Sequence, residues 1–201
     1  MLKSQKIRKN SPELDALKMG MDWEEEDLAK AQILVSSTYG YGHPGSFHLD
    51  KLVEQSLQSL KKHGAKGASM IVSDICDGIA QGHDGMNYSL VSREMIANMV
   101  EVQAEAAPYD GMVMISACDK AIPAHLLAAA RLNLPTVHVP GGSMALGEKN
   151  TTVDMTASDY AKYKRGEISR EKYLETQKLA CPSCGACQFM GTASTMQVMA
   201  E

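Results

Sequence analysis

A unit of short apolar strand, polar loop and helix recurs along the middle of this chain. That alternation limits the possible folds more than any other feature. Residues 32–36, QILVS, read as a buried strand that runs into the Gly- and Pro-containing loop STYGYGHPGS. Leu49, Leu52, Val53, Leu57 and Leu60 then fall at helical spacing, and the run ends at Gly64 behind Lys61, Lys62 and His63. The pattern repeats as a strand at 68–73, the loop CDGIAQGHDGMNYS and a helix at 90–106. It repeats again as a strand at 111–116, the loop CDKAIP and a helix at 124–133, and a fourth strand at 135–139 leads into PGGSMALGEKN. This order predicts an α/β fold: a parallel sheet flanked by helices on both faces, Rossmann-like and three-layered. In such a sheet the loops after the strands gather at the carboxyl edge, where ligands bind.

The flanking segments read differently. Residues 1–30 are polar and charged, an N-terminal arm with one or two helical turns before the α/β domain at 31–201. Residues 151–180 are polar and helical with a break near Gly166, an inserted helical segment outside the core. Aromatic residues make up only 5% of the chain and Met is abundant at 14, so Ala, Leu, Ile, Val and Met must fill the core. Met95, Met99, Met196 and Met199 are expected there rather than against a cofactor. The Ala- and Met-rich run near residue 200 meets no cap, Gly or Pro, so continuation into a longer protein is expected.

Charge and hydropathy exclude several functions. Lys plus Arg is 20 against 24 Asp plus Glu, a net charge of −4 that lacks the basic excess of a nucleic-acid binder. No apolar run approaches the roughly 20 residues of a membrane span. The basic N-terminus has no apolar stretch behind it, so no secretory signal is predicted and a cytoplasmic location is expected.

The five cysteines are Cys76, Cys118, Cys181, Cys184 and Cys187. An odd number, three of them clustered, points in a reducing compartment to metal binding or catalysis rather than a disulfide framework. Cys181-x2-Cys184-x2-Cys187 matches the first three positions of a ferredoxin-type run, with zinc the obvious competitor. In Cys118-Asp119-Lys120, directly after an apolar strand, the thiol can ligate a metal cluster. Asp119 can ligate a cation, and Lys120 can be a base or a modified ligand. Asp74, Asp77, His83 and Asp84 lie in a Gly-rich loop suited either to a hard cation such as Mg²⁺ or simply to turns. His43, His48, His125 and His138 have no partner at ligand spacing and read as structural. Gly141-Gly142 is a weak anion-binding signal, and no post-strand loop carries the phosphate-binding G-x-x-x-x-G-K-[ST] pattern.

The stretches CDGIAQGHDGMNYSLVSRE, ISACDKAIPAHLLAAARLNLPTVHVPGG and GACQFMGTASTMQ resemble the dihydroxy-acid dehydratase / phosphogluconate dehydratase family, in order and spacing, from about residue 31 to the end. The CQFMGTAS segment is closest to its sugar-acid branch. The resemblance implies an N-terminal α/β domain followed by a barrel-like C-terminal domain that lies beyond these residues. It implies an iron–sulfur cluster (2Fe–2S or 4Fe–4S) and Mg²⁺, used to remove water from a small 2,3-dihydroxy acid or sugar acid and give a 2-keto acid. By position it places Cys118 and Cys187 as cluster ligands and Asp77 and Asp119 as Mg²⁺ ligands, with Lys120 as a carbamylated lysine. A homodimer is implied for the full-length protein, and inactivity for the 201 residues alone. The family's first cluster cysteine, in a Pro-Cys turn after the first strand, falls here on Gly45 of His43-Pro44-Gly45-Ser46, so Cys184 or Cys181 is expected to replace it. The competing expectation is a non-catalytic zinc- or cluster-binding α/β module.

Overall fold

The computed structural model describes residues Met1–Glu201. Three short helices, α1 (Lys3–Arg8), α2 (Glu13–Met19) and α3 (Glu25–Ala29), precede strand β1 (Ala31–Ser37). Then follow α4 (Leu49–Lys62), β2 (Ala65–Ile71), α5 (Asp77–Ala80), a 3-10 turn (Asp84–Tyr88), α6 (Ser89–Ala106), β3 (Gly111–Ser116), α7 (Ala121–Leu132) and β4 (Thr136–Pro140). A second 3-10 turn (Glu148–Asn150) leads to α8 (Val153–Lys164), α9 (Arg170–Leu179) and α10 (Thr192–Ala200). The sheet order is β2-β1-β3-β4 and every pairing is parallel.

Side chains on a strand alternate between faces, and the core divides accordingly. Leu34, Met112 and Met114 point to one face and pack with Ile96, Val100 and Ala128 of α6 and α7. Val35 and Ile115 point to the other and meet Leu49, Leu52, Val53 and Leu57 of α4. The predicted parallel sheet with helices on both faces is therefore present. The connection after β1 runs outward to β2, whereas the one after β2 crosses to β3 on the opposite side of β1. The crevice between the carboxyl ends of β1 and β3 is thus a topological switch point, where open α/β sheets bind ligands.

Some local expectations need correcting. Helix α7 begins at Ala121, three residues earlier than expected, because Pro123 sits in the first turn, where its missing N–H costs no helical bond. Residues 1–30 form three short helices rather than one or two turns, and they pack against the sheet. Asp110 accepts hydrogen bonds from Ser4 N (2.9 Å), Ser4 Oγ (2.6 Å) and Gln32 N (2.9 Å). Lys18 donates to the Gln32 side chain, and Trp23 and Leu28 are buried. Met95, Met99 and Met199 are exposed, not core. Helix α6 is apolar around most of its surface, and it buries Ile96, Ala97, Val100 and Ala104 instead. The 151–180 segment is the expected pair of helices, α8 and α9. They turn at Gly166 with φ +75° and stack Tyr163 on Tyr173 at 5.7 Å. No helix is long and apolar enough to cross a membrane.

Candidate metal centre

Three loops at the carboxyl edge build the site. The loops after β2 and β3 each carry a Cys-Asp pair, Cys76-Asp77 and Cys118-Asp119. The ligand-capable atoms of His43, Cys76 and Cys118 all lie within 4.8 Å of one another. Asp77 turns to a different neighbour. Its Oδ2 accepts from Lys120 Nζ at 2.6 Å and its Oδ1 from Ser89 Oγ at 2.6 Å. Asp119 Oδ2 lies 3.5 Å from the Cys118 sulfur. The thiols and the imidazole therefore collect at one point with the Asp74 and Asp119 carboxylates close by, while Asp77 pairs apart from them with Lys120. Soft donors suit iron, zinc or an Fe–S cluster, and carboxylates suit Mg²⁺.

His43 is held deep in this site. It lies 3.4 Å from Asp74, and both side chains are 1% exposed. The contact has ion-pair distance without hydrogen-bond geometry, so both His43 nitrogens and Asp74 Oδ2 have no hydrogen-bond partner. Burial opposes charge on His43, but the neighbouring Asp74 outweighs it and holds the imidazole above its ordinary value. Burial likewise pushes the Asp74 carboxyl up, against the pull of His43. Between the thiols, the Cys118 S–H stabilises a Cys76 thiolate, which titrates at about 6, while Cys118 itself is pushed up. A low-pKa thiol beside a second thiol and an imidazole is a donor set in search of a cation. A cavity of about 350 Å³ opens beside it, lined by His43, Asp74, Cys76, Ile79, His83 and Tyr88 among others.

A fourth loop, between α9 and α10, carries Cys187. Residues 185–186 are stitched to two other loops: Gly185 N donates to Pro44 O (3.0 Å), Ala186 N to Gly142 O (2.9 Å) and Met144 N to Ala186 O (2.8 Å). Gly141-Gly142 serves this packing, since a Cβ on Gly141 would meet Ala117 Cβ at 2.6 Å and Leu49 Cδ2 at 2.7 Å. The Cys187 thiol is raised by burial and then by the charges of Asp119 and Cys76. Cys181 is exposed and Cys184 and Cys187 are half-buried, and none of the three belongs to the His43–Cys76–Cys118 group.

The remaining residues sort clearly. His83 and Asp84 are exposed, and His83 Nδ1 caps the 3-10 turn by accepting from Gly85 N. His48 binds Gly141 O at 2.8 Å. His125 sits between Ser36 Oγ and Ser116 Oγ, each at 3.1 Å, and Ser116 reaches His138 at 2.9 Å. These three histidines are structural, as expected. His43 differs in having two thiols within ligand reach, which sequence reasoning missed because they lie 33 and 75 positions away. The only sequence signal was its place in the loop after the first strand. That loop also carries a Gly-x-Gly-x-x-Gly spacing (Gly40, Gly42, Gly45) that sequence reading passes over. It does not open a helix as a dinucleotide loop does: α4 starts only at Leu49, and the turn instead presents His43 to the thiols.

The fold and this site define an α/β domain with a group of possible metal ligands, His43, Cys76 and Cys118, at its switch point. The family can be named as well. A family model described as "Dihydroxy-acid/6-phosphogluconate dehydratase N-terminal" matches residues 30–201, and the chain belongs to this family. It is 38% identical over 184 residues to the dihydroxy-acid dehydratase of Caldicellulosiruptor bescii, covering 90% of this chain and 33% of that protein. It is 40% identical over 180 residues to that of Caldanaerobacter subterraneus (88% and 32%). It is 40% identical over 183 residues to that of Dehalococcoides mccartyi (88% and 33%). The chain spans about one third of the length of these relatives.

Proposed function

We propose that this chain is the metal-holding domain of a hydro-lyase that removes water from a small 2,3-dihydroxy acid or sugar acid to give a 2-keto acid. The observation that carries this reading is the grouping of donors. Cys76, Cys118 and His43 converge at one point; Asp77, next to Cys76 in the chain, pairs with Lys120 at 2.6 Å, and Asp119 lies 3.5 Å from the Cys118 sulfur. The donors fit an iron–sulfur cluster next to Mg²⁺: His43 has two buried nitrogens without partners, and Cys76 loses its proton easily. When bound, such metals act as Lewis acids on a hydroxyl leaving group and on the substrate carboxylate.

The chain's own residues then have distinct work. Cys118 and Cys187 hold the cluster. Asp77 and Asp119 hold Mg²⁺. Lys120 pairs with Asp77 as an ammonium, which repels a cation. Loss of the ammonium proton to solvent frees the Lys120 nitrogen to bond the carbon of CO₂, and loss of a second N–H proton leaves a carbamate, an anionic oxygen donor, while Ser89 keeps Asp77 oriented. The activity belongs to the longer protein of which this domain is part, acting as a cytoplasmic homodimer, and the 201 residues alone are inactive.

The mixed sulfur and nitrogen set also favours a second reading, a zinc-binding module without catalysis. Anaerobic purification with iron, sulfide, zinc and Mg²⁺ measured on one sample, beside a visible spectrum, separates the two. Iron with matching sulfide and thiolate-to-iron absorbance supports the dehydratase reading. One equivalent of zinc with no visible band overturns it in favour of the zinc module.

A further inference from the structure

We infer that Cys76 is the third thiolate of the soft-metal centre, standing in for the cysteine absent at Gly45. The assignment rests on the cluster reading above. Position 45 has no room for a thiol without rearrangement. A Cβ there would meet His43 Nδ1 at 3.1 Å and Cε1 at 3.3 Å, so the imidazole occupies the space beside it. A thiol reaches the same imidazole from the loop after β2. Cys76 has its sulfur within 4.8 Å of both the Cys118 sulfur and a His43 nitrogen.

The two Cys-Asp pairs explain why one loop can serve both metals. In the loop after β2 the consecutive residues Cys76 and Asp77 point in different directions. Cys76 and Cys118 therefore converge, while Asp77 turns to Lys120 at 2.6 Å. With Cys187, stitched by its neighbours to Pro44 and Gly142, the chain offers three thiolates. Three leave one iron coordination position free for substrate oxygen. Cys181 and Cys184 then have no ligand role, and the ferredoxin-like spacing around them is incidental. Ligation breaks the Cys76 S–H bond, forms a sulfur–iron bond and releases the proton to solvent, with no change in oxidation state.

The test is made on the anaerobically purified chain with its cluster in place. Cys76→Ser is expected to retain iron at least about tenfold less well against a chelator, a loss at least as large as that from changing a supporting residue. Cys181→Ser and Cys184→Ser keep native iron and sulfide. Protection from iodoacetamide, read by mass spectrometry on the unmutated protein, does not depend on a variant folding. Cys76 is protected while iron is bound and alkylated once iron is removed, and Cys181 reacts in both states. Full iron retention by Cys76→Ser, or alkylation of Cys76 in the loaded protein as fast as Cys181, overturns the assignment and leaves the cluster reading standing. A native protein without iron and sulfide overturns both.

Discussion

Gly185→Ala tests how the Cys187 loop is held. Gly185 has φ +113°, a conformation that L side chains rarely adopt, at a cost of about 1–3 kcal/mol. A Cβ there would also lie 2.5 Å from Met144 N, 2.6 Å from Ser143 C and 3.0 Å from Gly142 O. These are backbone atoms and cannot swing aside, so overpacking adds about 1–3 kcal/mol. The strain has an exit, which sets its upper limit. The loop can leave Ser143, giving up the three backbone hydrogen bonds of residues 185–186, each worth about 1 kcal/mol net. The expected loss is therefore about 3 kcal/mol, or roughly 6–12 °C in melting temperature for a chain of this size. Gly142→Ala is the control. It has φ +82° but open space around the Cβ, so only the conformational cost of about 1 kcal/mol applies. Thermal melts of the two variants beside the unmutated protein, with iodoacetamide labelling of Cys187, give the readout. Gly185→Ala should melt well below Gly142→Ala and label Cys187 faster. Equal melting temperatures and equal labelling would show that the loop is not clamped against Ser143.

Other consequences are open to measurement. Burial pushes His125 down to about 3, against about 6.5 when unfolded, so in that window the unfolded chain binds a proton that the folded chain refuses. Stability is full above about pH 6.5 and falls on acidification by up to about 1.4 kcal/mol per pH unit from this group. Urea midpoints at pH 7 and pH 5 should differ less in His125→Phe, and an unchanged difference refutes the assignment. Asp110→Ala strands three donors that tie residues 1–30 to the sheet and should cost about 2–4 kcal/mol, against about 1 for Ser4→Ala, both read by urea unfolding. Leu34→Ala, at the centre of the α6–α7 face, should cost about 2–5 kcal/mol in the same assay.

Much of this protein follows from local rules that act along the chain. Short continuous apolar runs, Gly- and Pro-containing loops, a basic last turn before Gly64 and a polar helical stretch broken at Gly166 mark β1, α4, β3 and the α8–α9 pair. Strand–helix alternation then forces a parallel sheet, because a parallel connection needs a crossover. The family resemblance rests on contiguous residues too, such as Cys118-Asp119-Lys120 and the segment after Cys187. Contacts between distant residues are not written in any local pattern. Sequence spacing made Cys181, Cys184 and Cys187 look like one unit, yet the chain path leaves Cys181 in solvent and brings Cys76 to Cys118 from 42 positions away. Likewise His43 looked isolated until three loops closed around it, and Met95 and Met99 looked like core until Ile96 and Val100 took the buried side of α6. The sequence determined which elements form and which loops reach the carboxyl edge. Only the order β2-β1-β3-β4 decided which donors share a site, because crossing connections bring together loops from opposite ends of the domain.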